Sequence, residues 1–63
     1  MVVKVWNKTH NQFIALHDKV QNVIMNGEKY EVECNFMGEI MRIKYLRADN
    51  DIKIWSDDGK ELL

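Results

Sequence analysis

Between Lys29 and Tyr45 apolar and polar side chains alternate one by one, interrupted only around Met37-Gly38. A pattern of period two over that length fits two half-buried β-strands joined by a tight turn. Tyr30, Val32, Cys34 and Phe36 fall on one side, with Glu31, Glu33 and Asn35 on the other. After the turn, Met41, Ile43 and Tyr45 alternate with Arg42, Lys44 and Leu46, which reads as the antiparallel neighbour.

The flanks carry the same signal more briefly. Val2 to Trp6 is β-branched and aromatic, Asn7 to Asn11 is polar, and Gln12 to Leu16 is apolar again. Paired as a hairpin, these segments put Val3, Val5, Ile14 and Leu16 on one face and bring Trp6 to Phe13 on the other. Residues 47 to 51 read as a turn, and Ile52 and Ile54 alternate with Lys53 and Trp55 in a further strand. Asp57-Asp58-Gly59 supplies another turn, leaving Lys60 to Leu63 as a last short strand or a tail.

Thr9 to Gly27 reads two ways. On a helical wheel Phe13, Leu16, Val20, Val23 and Ile24 fall within an arc of roughly 100°, Thr9 and Gln12 have capping-box spacing, and Asn26-Gly27 would end a helix. The same Asn-Gly between two β-branched runs is a hairpin turn. One reading gives an all-β antiparallel meander or small barrel. The other gives an α+β chain of order β-α-β-β-β, with a helix over about residues 10–25.

The chain has 63 residues, 46% of them hydrophobic, so a single domain over residues 1–63 is expected. With one cysteine, two histidines and no proline, neither a disulfide framework nor a structural zinc site can staple it. Stability must come from packing, a homodimer interface included. Nine Lys/Arg against ten Asp/Glu give a net charge of −1, which argues against a non-specific nucleic-acid binder. The sign alternates along the chain: +2 over residues 1–26, −3 over 27–39, +3 from Arg42, Lys44 and Arg47, and −3 from Asp49 onward. Opposite charges can therefore meet across adjacent strands. No spanning segment or signal-peptide core is present, so a cytoplasmic protein without a membrane partner is expected, and the sequon-like Asn7-Lys8-Thr9 is read as an ordinary turn.

Catalytic and metal chemistry find little support. His10 and His17 are seven positions apart, which is no ligand spacing on a strand, and Asp49-Asn50-Asp51 lacks the glycine and closing glutamate of a calcium loop. Cys34 lies on the apolar face, where a thiol is a small core hydrophobe with a raised pKa. Gly27, Gly38 and Gly59 are isolated, so no phosphate loop exists, and Glu31 and Glu33 read as solvated carboxylates. We expect no enzyme, no cofactor and no metal. The residues suited to binding are Trp6, Arg42, Lys44, Arg47, Lys53 and Trp55, since rings interleaved with cations serve single-stranded nucleic acid by stacking and protein partners by anchoring. The bland alternative is that the tryptophans cover the end of a small barrel and the cations pair with Glu31 and Glu33. Glu28, Glu31, Glu33 and Glu39, or Asp49, Asp51, Asp57, Asp58 and Glu61, would imitate phosphates if they converged.

Lys4-Val5-Trp6-Asn7-Lys8 followed by Phe13-Ile14 resembles the opening hairpin of YopX-type phage proteins, whose start reads Arg-Val-Trp-Asp before a polar turn. The resemblance covers about a quarter of the chain, with Lys4 where the family has Arg and Asn7 where it has Asp. It implies a phage or prophage origin and a β-rich start, and it assigns no site. It tips the choice for Thr9 to Gly27 toward strands. The leading expectation is a small phage-type accessory protein that binds a bacterial host protein, in its most specific form an inhibitor of a defence nucleoprotein such as a CRISPR effector. The alternatives are a small β-barrel nucleic-acid-binding module and a self-associating structural or assembly protein.

Overall fold

A computed structural model describes all 63 residues and contains six strands and no helix. They are β1 (Val2–Asn7), β2 (Gln12–His17), β3 (Val20–Asn26), β4 (Lys29–Phe36), β5 (Glu39–Leu46) and β6 (Asn50–Trp55). All pairings are antiparallel, so the all-β reading holds and the helix over residues 10–25 does not form. β3, β4 and β5 make a three-stranded meander, while β1 sits between β2 and β6 in a second three-stranded sheet. β6 therefore does not extend the meander. After Leu46 the chain crosses over and lays β6 antiparallel to β1, with Val3 opposite Ile54 and Val5 opposite Ile52.

The inner faces of the two sheets meet in one core. Val3, Val5, Ile52 and Ile54 from the β1 sheet pack with Val20 and Val32 from the meander, and Ala15, Val23, Tyr30, Cys34 and Tyr45 rim them. Asn50 is also buried at one end of this core. Its side chain accepts from Asn7 Nδ2 at 3.1 Å and donates to the Leu46 carbonyl at 3.0 Å, so no buried polar side chain lacks a partner.

Two irregularities explain why Thr9 to Gly27 resembled a helix. The β1–β2 register shifts between Val5 and Trp6, which leaves Ile14 as an extra residue in β2. This bulge puts Phe13 opposite Trp6 and Leu16 opposite Lys4, so Ile14 and Leu16 do not share the face of Val3 and Val5; Ala15 and His17 do. A second shift between Val20 and Asn22 lets Val20 and Val23 both turn toward the core. Each bulge converts a spacing of two into a spacing of three, which is the spacing of a helix face.

The turns follow their chemistry. Gly27 and Glu28 are the two loop residues of the β3–β4 hairpin, one position later than Asn26-Gly27, with Gly27 at φ 60° in the first central position as a II′ turn requires. Met37 and Gly38 join β4 to β5 at φ 53° and 85°, the double positive φ of a I′ turn. Lys60 to Leu63 is neither a full strand nor a free tail: Glu61 makes a single bridge to Trp55, and Leu62 donates its N–H to the Ile54 carbonyl at 2.8 Å.

Candidate binding surfaces

Alternation along β1 and β6 sends Lys4, Trp6, Asp51, Lys53 and Trp55 to the outer face of their sheet, the side away from Val3, Val5, Ile52 and Ile54. Across the strands, Lys4 lies between Leu16 and Lys53, and Trp6 lies between Phe13 and Asp51. The Trp6 and Phe13 rings meet edge to face with centroids 4.7 Å apart. The Lys4 ammonium sits 4.9 Å from the Phe13 centroid and 5.9 Å from that of Trp55. Its neighbours are neutralised: Lys53 pairs with Glu61 at 3.0 Å and Lys8 with Asp51 at 3.8 Å. Lys4 has no carboxylate partner, so its charge is held by ring faces alone.

The remaining expected residues lie elsewhere. Arg42 and Lys44 are on the outer face of the meander. There Arg42 Nε donates to Glu33 Oε1 at 3.0 Å and Lys44 stands opposite Glu31, whose Oε2 accepts from Asn26 Nδ2 at 2.9 Å. Glu33, expected to be solvated, is only 8% exposed, because Arg42 lies across it. Arg47 is at the end of the molecule, beside the β3–β4 turn. It donates through Nη1 to the Gly27 carbonyl at 3.0 Å, with its guanidinium 5.5 Å from the Tyr30 centroid. It lines an open depression of about 680 Å³ with Lys8, Glu28, Tyr30 and Leu46.

The six expected residues thus separate into three groups: Trp6, Lys53 and Trp55 on one sheet, Arg42 and Lys44 on the other, and Arg47 at one end. Lys4 and Phe13 complete the first group. Phe13 is not among the expected residues, although its place opposite Trp6 is legible in the sequence, because a hairpin partner reads as packing alone. The acidic residues do not converge either. Glu28 in the turn before β4 and Glu39 at the start of β5 lie at opposite ends of β4, and Asp51 and Glu61 are held by lysines.

On the inner face of the meander, burial and then the negative charge of Asp18 push the Cys34 thiol up from its ordinary value, so it stays protonated at neutral pH. That is the opposite of what an attacking thiolate needs. His17 Nε2 is hydrogen-bonded to the Tyr45 hydroxyl at 2.6 Å, a link from β2 to β5. No three of the His, Cys, Asp and Glu side chains group as a metal site would require. No protein-family model, curated protein or solved structure matches this chain.

Proposed function

We propose that this chain is a non-enzymatic binding module that acts on a larger protein through the outer face of the β1 sheet, with Lys4, Trp6, Phe13 and Trp55 as its contact residues. The observation that carries this reading is the placement of Lys4, a cation without a carboxylate, laid between aromatic rings on the central strand. Rings and a half-buried cation grouped at the centre of a face are what anchors protein interfaces. A single-strand nucleic-acid platform needs several free cations to follow the phosphates. Here Lys53 and Lys8 are neutralised, and Arg42 and Lys44 are on the opposite sheet. A protein surface offering one carboxylate to Lys4 and an apolar rim to the rings is the better match. Carrying over the YopX-type resemblance of the first hairpin, that partner is a bacterial host protein. Inhibition of a defence nucleoprotein such as a CRISPR effector is the most specific form of the proposal.

Capture from bacterial lysate on immobilised protein tests it. The native chain is expected to retain a partner that Lys4→Glu and Trp6→Ala each weaken by about tenfold or more. Equal capture by the variants, or none by the native chain, would overturn the reading. Tryptophan fluorescence is expected to stay unchanged on titration with a single-stranded oligonucleotide at low salt. Salt-sensitive quenching would replace the protein partner with a nucleic acid.

A further inference from the structure

The hairpin of β4 and β5 overhangs the opposite sheet, because its strands have eight residues where β1, β2 and β6 have six. Phe36 and Met41 share the inward parity of Val32 and Ile43, yet they remain 54% and 51% exposed. Beside them, between β2 and the hairpin, is a cleft of about 220 Å³ lined by Leu16, His17, Cys34, Phe36, Met41 and Ile43. At the tip of the same hairpin stands Met37, with φ 53° and 90% of its surface exposed. Asn or Gly relieves the strain of a positive φ in a I′ turn, and methionine does not. Within one copy the Met37 side chain gains nothing in return, which directs attention from the strain to a contact outside the copy.

The strand edges point to the same place. The free edge of β6 is taken by Leu62 and Leu63, which bond Ile54. Along β3, the Val20 N–H donates to the Met1 carbonyl and the Val23 N–H to Asn22 Oδ1. β5 carries Glu39, Arg42 and Lys44, charges that discourage pairing. β2 carries no charge, and its bulge at Ile14 disturbs only the end away from the cleft. A protruding apolar tip, a cleft and an unblunted edge thus lie together on one side of the molecule.

We propose that this side is the interface of a symmetric dimer, in which Met37 of each copy enters the cleft of the other. Projection and receptacle on one surface are what a twofold interface demands. The charges bordering the cleft, Asp18 and Lys19, sum to zero, so two copies do not repel and each Asp18 can approach the other copy's Lys19. Leu16, Phe36, Met37 and Met41 together offer on the order of 400 Å² of apolar surface. At the usual apolar share of an interface, that corresponds to roughly 1,300 Å² buried in all, the size of a specific complex. A net charge of −1 gives little repulsion to keep copies apart, and a second copy is the one occupant always present where the chain is.

Sedimentation equilibrium of the native chain and of Met37→Asn tests the proposal. Met37→Asn makes the favoured Asn-Gly I′ turn, so the variant folds at least as well as the native chain and a lost dimer cannot be laid to misfolding. The native chain is expected to sediment as a dimer at about 100 μM, with Met37→Asn weakening dimerisation by about tenfold or more. A native chain that is monomeric at that concentration, or a variant that dimerises equally well, overturns it. Lys53→Ala, in β6 on the far side of β1 from the cleft, is expected to leave dimerisation unchanged.

Discussion

The outer faces of the two sheets are both three strands wide and both antiparallel, yet they present opposite surfaces. On the meander, Arg42 covers Glu33, Lys44 stands opposite Glu31, and Asn26 satisfies Glu31 from the third strand, so both carboxylates on the middle strand have a cross-strand answer. On the β1 sheet the middle strand carries Lys4 and Trp6, answered by the rings of Phe13 and Trp55. The first arrangement is complete in itself and suits a face turned to water. The second leaves an unpaired cation among rings, which a partner can complete. Strand count and pairing fix neither outcome; the identity of alternate residues on β1 and β4 does.

The largest expected effect separates inner from outer residues within one strand. Ile52→Ala in β6 should remove about 2–5 kcal/mol. A core of this size supplies only about 3–5 kcal/mol, so the variant should be largely unfolded at 25 °C by circular dichroism. Lys53→Ala, one position on and facing out, should stay within about 0.5 kcal/mol of the native chain by denaturant titration. Similar losses at both positions would mean that the outer face of β6 is part of the core.

Next comes the claim that the meander's outer face is self-satisfied. Arg42→Ala strips a buried carboxylate of its partner and should cost about 1–3 kcal/mol. Adding Glu33→Val, which removes the orphaned charge and suits a central strand, should restore most of that loss. If Arg42→Ala alone melts like the native chain, the Arg42–Glu33 pair is an ordinary surface pair and the two outer faces differ less than their geometry implies.

Much of this fold is legible in the chain itself. The alternation from Lys29 to Tyr45 places both strands of the β4–β5 hairpin and its turn, and the Trp6–Phe13 meeting follows from two short apolar runs across a polar turn. What local pattern does not carry is distance. Nothing in Ile52 to Trp55 says that this strand leaves its neighbour β5 to pair with β1, since both choices bury Ile52 and Ile54 equally well. That crossing puts Lys53 and Trp55 on the sheet opposite Arg42 and Lys44, which is why the expected binding residues divide. The bulges at Ile14 and near Gln21 are hidden for a different reason: an extra residue looks like a change of period. Met37 reads from the sequence as a turn residue, but its exposure depends on how far the opposite sheet reaches.

The smallest expected effect concerns the inner faces. At Val3, Val5 and Val32 the core is sealed, whereas the side near the cleft holds two ionisable groups, Cys34 and Tyr45, both in partial contact with water. Burial and then Asp18 raise the Cys34 thiol from 9.0; burial and then Cys34 raise the Tyr45 hydroxyl from 10.0. Each is an acid whose folded-state pKa lies above its unfolded value. The stability it contributes is therefore complete below the unfolded pKa and is lost as pH rises through the folded one. The melting temperature should be level from about pH 7 to about pH 8.5 and decline above about pH 9. The informative quantity is the difference from Cys34→Ser, which lacks the thiol and should lose the earliest part of the decline. Because both groups are partly exposed, that difference should be small, about 2 °C or less. Coincident curves would place Cys34 in water and the boundary of the core at Val32.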